Sequence, residues 1–362
     1  MAKPPACERV KALALAGVLG AAGCVFSLYP FGATPLTDFS PGKLYLNTFQ
    51  GFLYDGSNMP PPDHDAGGRA SAAHVRPLDL MGDPSPSGKI VVVGLGMSNW
   101  TDELCGAVRR RTDPCPPHTF LGMAAADARV DHASLVLLDC ARSGYDAKKW
   151  LDDSYGSYSL CMNGPLASRG VSEGQVQVIL WKNANALGGA GHTALTPAPG
   201  LSPSAYCAAS AHAAVDACIY ERHLGMMVRY AKARYPNLKQ VFVHTRIYAG
   251  YASSRLNPEP YAYEYGFANK WFVAAQIRQR RTGAVDPTAG DLSARVAPWV
   301  GWGPYFWASG AEPRRDGLGW SLADFEGDYT HPSTIGARKV AALMMDFYLA
   351  SPYAPWFRAS GR

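Results

Sequence analysis

The chain has 362 residues, of which 48% are hydrophobic and 17% charged, and a formal net charge of +5. That composition can bury a sizeable core and excludes a disordered chain. The 37 glycines and 28 prolines follow no repeat period, which excludes collagen-like and solenoid architectures, and so mild a charge implies no nucleic-acid partner.

Residues 1–28 read as an export signal, with Lys3, Arg9 and Lys11 as a basic region and Ala12 to Gly23 as an apolar run ending in small residues. The run is shorter than the roughly 20 apolar residues that span a bilayer. Ala21-Ala22-Gly23-Cys24 also has the small-small-Cys ending of a bacterial lipoprotein signal, although it lacks that motif's usual leucine. Simple cleavage, an uncleaved anchor and lipid attachment at Cys24 all stay open, and each places the protein outside the cytoplasm, secreted or periplasmic.

Residues 29–88 form a loop-rich lead-in expected to wrap the domain that follows. They are most irregular from Met59 to Gly68, where Asp63, His64 and Asp65 read as a polar turn rather than metal ligands. Residues 89–350 form one domain, and 351–362 a short tail. Within the domain, Ile90 to Val93, Leu135 to Leu138, Val176 to Trp181 and Gln240 to His244 are short apolar runs. Helical stretches at Ala211 to Tyr235, Pro260 to Arg278 and Lys339 to Leu349 separate or follow them. Buried strands alternating with helices predict an α/β fold whose parallel sheet is covered on both faces. In such sheets the site lies beyond the carboxyl ends of the strands, where Ser98, Gly144 and Asn183 all emerge.

Three features compete for chemical roles and fall behind. Gly170-Val171-Ser172-Glu173-Gly174 matches a nucleophile elbow literally, but its strand comes after the serine instead of before it. Gly94-Leu95-Gly96-Met97-Ser98-Asn99 begins like a dinucleotide fingerprint but has Asn99 where the third glycine belongs. His244 competes as a base but lacks a carboxylate two or three residues away. Arg109-Arg110-Arg111 reads as a solvated loop. Aromatic segments at Thr245 to Glu264, Trp302 to Trp307 and Trp320 are candidates to line a substrate cleft.

Six cysteines remain beyond the export segment: Cys105, Cys115, Cys140, Cys161, Cys207 and Cys218. An even number suits an oxidising compartment. Fifteen pairings exist for six cysteines, and pairing sequence neighbours closes three short loops. No Cys-x-x-Cys pair occurs, so neither a zinc ribbon nor a thioredoxin-like site is expected, and no cofactor or metal is implied.

The most specific stretch is Asp328-Tyr329-Thr330-His331-Pro332-Ser333. It holds a carboxylate and an imidazole close together, and Ser98 follows a buried strand far upstream. Such a set makes a nucleophile of a hydroxyl: the imidazole takes the serine proton, and the carboxylate fixes the ring's tautomer and stabilises its charged form. The order Ser, Asp, His, with two residues between the last two, resembles the SGNH (GDSL-like) esterase family. The four blocks of that family correspond here to Gly96-Met97-Ser98, Ser143-Gly144, Trp181-Lys182-Asn183-Ala184-Asn185 and the Asp328 to Ser333 stretch, so the likeness runs from about residue 89 to about 350. Met97 replaces the family's usual aspartate, and the third block lacks its glycine. That block also resembles the Trp-His-Gln-Gly-Glu version of related carbohydrate esterases, which aligns Asn183 with the oxyanion-binding glutamine and keeps Asn185 as its rival.

The resemblance implies a three-layer α/β/α sandwich with a mostly parallel, flavodoxin-like sheet. It also implies a Ser98, Asp328 and His331 triad, and an oxyanion hole from the N–H groups of Ser98 and Gly144 with the amide of Asn183 or Asn185. The activity implied is an exported serine esterase that deacylates a carbohydrate or other small-molecule or polysaccharide ester. The alternatives are a non-catalytic carbohydrate-binding protein on the same scaffold and an O-acyltransferase using the same triad.

Overall fold

The computed structural model describes residues 33–106, 113–186 and 191–359. The export segment with Cys24, and Arg109 to Arg111, lie outside the described residues. In chain order the elements are β1 (Leu44–Tyr45), β2 (Phe49–Gln50), α1 (Pro62–Ala73), β3 (Ile90–Gly96), α2 (Ser98–Leu104), α3 (Phe120–Ala126), β4 (Leu135–Asp139), α4 (Ser157–Cys161) and β5 (Val176–Lys182). They continue with α5 (Pro203–Ala208), α6 (Asp216–Arg234), β6 (Gln240–Val243), α7 (Tyr261–Thr282), β7 (Trp299–Trp302) and α8 (Thr334–Ala350).

Strands β3 to β7 form one sheet in the order β4-β3-β5-β6-β7, every pair parallel. Counted within the sheet this is the order 2-1-3-4-5 of flavodoxin-like folds, whose switch point falls between the first and third strands. Here that point lies between β3 and β5. Every residue of β3, β5, β6 and β7 is buried, which is why these segments are mainly apolar and do not alternate. The edge strand β4 is partly exposed over its first three residues. Helix α6 packs against α7, and α2 and α3 pack against α8, so helices flank the sheet as expected.

Two expectations from sequence need correcting. The stretch from Met59 to Gly68 is not irregular throughout, because α1 begins at Pro62. Proline suits the first turn of a helix, where its missing N–H costs nothing, and Asp63 and Asp65 face the positive end of the helix dipole. Gly68 is there for close approach: a Cβ on it meets the Trp299 ring at 2.6 Å and Tyr353 at 2.8 Å. The second concerns strands beyond those expected: the short β1–β2 hairpin in the lead-in, and β7 in the main sheet. The Trp-Val-Gly-Trp sequence of β7 carries little β-branched signal, and pairing with β6 makes it a strand.

Disulfides join Cys105 to Cys115, Cys140 to Cys161 and Cys207 to Cys218, so each cysteine pairs with its sequence neighbour. Among the described residues no helix is long and apolar enough to cross a membrane.

Candidate active site

Strand β3 delivers the serine. Gly96 closes it against β5, where a Cβ lands 2.0 Å from the Lys182 carbonyl oxygen, so no larger residue fits that crossing. Ser98 then opens α2, half-buried, and as the first helical residue its N–H has no acceptor within the helix. The next side chain, Asn99, donates from Nδ2 to the Thr330 carbonyl at 2.8 Å, tying the serine turn to the loop that carries the histidine.

That loop is folded by its own aspartate. Asp328 Oδ1 accepts the backbone N–H groups of Thr330 (2.9 Å) and His331 (3.0 Å), while Oδ2 lies 2.6 Å from His331 Nδ1. With Nδ1 donating to the carboxylate, Nε2 is left as the acceptor, and it lies 2.8 Å from Ser98 Oγ. Partial burial pushes the Asp328 carboxyl up, but the donors from His331 and Thr330 outweigh it and hold the group below the usual carboxylate range. On the far side of the loop, Ser333 caps α8 by accepting from the Ile335 and Gly336 N–H groups, and Gly336 sits so close to the Asp324 carbonyl that a Cβ would meet it at 2.0 Å.

The structure thus brings Ser98, Asp328 and His331 together along one hydrogen-bonded line. They line a cleft of about 540 Å³ with Asp102, His118 and Ser143. Gly144, Asn183 and Asn185 lie after β4 and β5 and are not among its lining residues. Gly144 is exposed, with a φ of 76°, and a Cβ at that position would meet nothing within 4 Å, so the left-handed backbone asks for glycine there and crowding does not. The two asparagines differ in their partners. Asn185 donates from Nδ2 to Asp216 Oδ1 at 3.0 Å, and its Oδ1 lies 2.7 Å from His223 Nδ1. Asn183 accepts the Ala184 N–H on its Oδ1 at 2.8 Å, while its buried Nδ2 has no hydrogen-bond partner among the described residues.

Several groups at the site escape sequence reasoning. Asp102 stands one helical turn after Ser98 on α2; burial, helped by Glu103, Glu326 and Asp328 against the opposing His331, raises its carboxyl to about 7. The i, i+4 spacing from the serine was the only available signal. Beneath, Lys182 Nζ reaches both carboxylate oxygens of Glu103 at 2.6 and 2.5 Å, with both side chains fully buried. This pair joins the helix that starts at Ser98 to the end of the strand that precedes Asn183. Arg246, also buried, points Nη1 at Met97 Sδ (3.6 Å) and at Asn257 Oδ1 (3.3 Å).

The competitors lie elsewhere. His244 is buried between the Trp181 carbonyl (3.2 Å) and the Tyr348 hydroxyl (3.1 Å), and burial lowers its imidazole to about 3, where it cannot serve as a base near neutrality. Ser172 donates to the Leu80 carbonyl in a loop. Asp63 pairs with Arg281, Asp65 with Arg69, and His64 packs on Trp299; among the described residues no acid, histidine and cysteine cluster is arranged to hold a metal. The aromatic segments expected to line the cleft are core: Trp302, Tyr305, Phe306, Trp307 and Trp320 are all buried, and none faces the triad cleft. Rings of this size contribute more to stability by filling the space behind the sheet than by standing in solvent.

No family profile and no curated protein matches the chain. Solved structures do. The psychrotrophic esterase EstA from Pseudoalteromonas sp. is 11% identical, over 72% of this chain and 96% of its own, with a TM-score of 0.35. A protein described as a GDSL-like lipase from Parabacteroides merdae is 14% identical, over 71% and 95%, at 0.34. The salicylyl-acyltransferase SsfX3 from a tetracycline biosynthetic pathway is 14% identical, over 75% and 58%, at 0.35. The architecture itself rests on the strand order described above.

Proposed function

We propose that this protein is an exported serine esterase of the SGNH type, with Ser98 as nucleophile, His331 as general base and then acid, and Asp328 as the group that orients and charge-stabilises the imidazole. The observation that carries this reading is the unbroken line from Asp328 Oδ2 through His331 to Ser98 Oγ, at 2.6 and 2.8 Å. Ser98 Oγ attacks the ester carbonyl carbon as its proton passes to Nε2, and the carbonyl π pair moves onto oxygen. When the tetrahedral species collapses, the alcohol leaves with the proton from Nε2, and water repeats the sequence to free the acid.

We assign the developing oxyanion to the N–H groups of Ser98 and Gly144 and to the Asn183 amide, whose Nδ2 has no partner among the described residues; Gly144 and Asn183 lie outside the cleft lining, so this assignment requires them to turn towards Ser98 when substrate binds. One such donor is worth about 3 kcal/mol in the transition state. The cleft walls mix polar side chains, Asp102, Ser143, Glu326, Ser333 and Thr334, with apolar surface from Pro116, Pro332 and Ala337, and this mixture suits the hydroxyls and ring faces of an acylated carbohydrate. Three disulfides fit an oxidising compartment and hence export. The test is hydrolysis of nitrophenyl acetate and a panel of acetylated sugars by the purified protein and by Ser98→Ala. Turnover only with intact Ser98 supports the reading; equal turnover by the variant, or none by either, overturns it.

A further inference from the structure

A second cavity, of about 610 Å³, lies between the lead-in hairpin and helices α6 and α7 and shares no lining residue with the triad cleft. One of its walls carries an acid that the fold leaves unsatisfied. Glu221, on α6, is 1% exposed, and its Oε2 has no hydrogen-bond partner among the described residues. Burial, with Asp286 nearby, holds its carboxyl well above the ordinary value. An unpaired polar group in such a place costs stability unless something enters to bond it.

Another lining residue offers a donor. Lys270, on α7, is 6% exposed; its ammonium donates to the backbone carbonyls of Gln50 (2.8 Å) and Gly51, which leaves the third of its three N–H groups over. Of the other charged groups around the cavity, Arg278 pairs with Asp286 and Arg281 with Asp63, and Asp55 lies exposed at its edge. A strongly anionic ligand would face Glu221 and Asp286, and a cationic one would face Lys270 and Arg278. A neutral ligand with both donor and acceptor hydroxyls suits the vacant acceptor and donor together. Trp271, Ala274, Ile277 and Leu53 supply apolar surface between the polar groups, as the mixed faces of a sugar ring require.

We propose that this cavity is a second binding site, for a small neutral saccharide of one or two rings, hydrogen-bonded by Glu221 and Lys270. The proposal does not depend on the catalytic reading, since a non-catalytic protein could use the same cavity.

The test uses the full Ser98→Ala protein and calorimetric titration with three unacetylated disaccharides, xylobiose, cellobiose and chitobiose, and with choline as a cationic control. Binding of at least one disaccharide, weakened tenfold or more by Glu221→Leu and by the cavity-filling Ala274→Trp but retained by Glu221→Gln, is expected. Glu221→Leu is also expected to melt at or above the parent temperature, because it removes an unpaired buried acid. A lower melting temperature for that variant shows a structural partner for the carboxyl and overturns the proposal. So does disaccharide binding that survives both Glu221→Leu and Ala274→Trp, which belongs to the triad cleft, as does preferred binding of choline or no sugar binding at all. With Ser98 intact, neither cavity variant should change nitrophenyl acetate turnover more than twofold.

Discussion

Asn183 and Asn185 follow the same strand two residues apart, yet their amides have different partners. Among the described residues the Asn183 donor is unengaged, whereas Asn185 bridges Asp216 and His223. Asn183→Ala should therefore lower kcat by a factor on the order of 100 with little change in KM, as expected for a bond made mainly in the transition state. Asn185→Ala should instead destabilise the fold by about 1–3 kcal/mol, since it strips partners from buried polar groups; steady-state kinetics and denaturant melts on the two variants separate these effects. From sequence the pair cannot be divided, because residues two apart on an extended chain face the same way. Asp102 is a further residue-scale case. Its folded value of about 7 lies above the ordinary 3.8, so its contribution to stability is fully present below about pH 4 and is lost as pH rises towards 7. Asp102→Asn removes that loss, and the melting temperature of the variant relative to the parent should climb between about pH 4 and pH 7 and then level off. In the cleft, ionised Asp102 steadies the charged form of His331, so Asp102→Asn should reduce kcat/KM more at about pH 8 than at about pH 6.

At the scale of elements, the buried pair of Glu103 and Lys182 couples α2, which Ser98 opens, to β5, which Asn183 follows. Breaking a buried pair from one side leaves an uncompensated charge and costs about 3–5 kcal/mol. Lys182→Met alone should therefore destabilise by that amount in denaturant melts, while Glu103→Leu combined with Lys182→Met should recover most of it. A single variant as stable as the parent would show that the pair does not hold the two elements. The four strands with apolar, β-branched runs were legible in the sequence because burial on both faces demands such runs. Strand β7 was not, since Trp299 packs against His64 of α1 and Phe242 of β6 and Gly301 leaves room for its ring, a tertiary reason that leaves no local pattern. Helix α1 was hidden in the same way, by Gly67 and Gly68, the second of which admits Trp299 and Tyr353. The aromatic segments misled in the opposite direction: a cluster of rings beside a site block looks like a binding surface in one dimension and proves to be core in three.

Across the whole molecule, the site is assembled from residues far apart in sequence, and the Asp328 to Ser333 stretch was readable because its chemistry is local: one aspartate folds the loop and orients the ring within four residues. The Glu103, Lys182 and Arg246 group was unreadable because its charges meet only through the sheet. The disulfides close loops of 10, 21 and 11 residues, each of which should restrain the unfolded chain by about 3 kcal/mol. Reduction should lower the melting temperature markedly, and alkylation of the unreduced protein under denaturing conditions should label none of these six cysteines; six labelled thiols would contradict the oxidised state. The role of Ser98 as nucleophile is tested most directly by labelling the purified protein with a fluorophosphonate probe, followed by peptide mapping of the modified residue. One adduct is expected, on Ser98, lost in Ser98→Ala and strongly slowed in His331→Ala while both variants keep the parent circular dichroism spectrum; an adduct on another serine such as Ser172, or labelling that persists without Ser98, would contradict it.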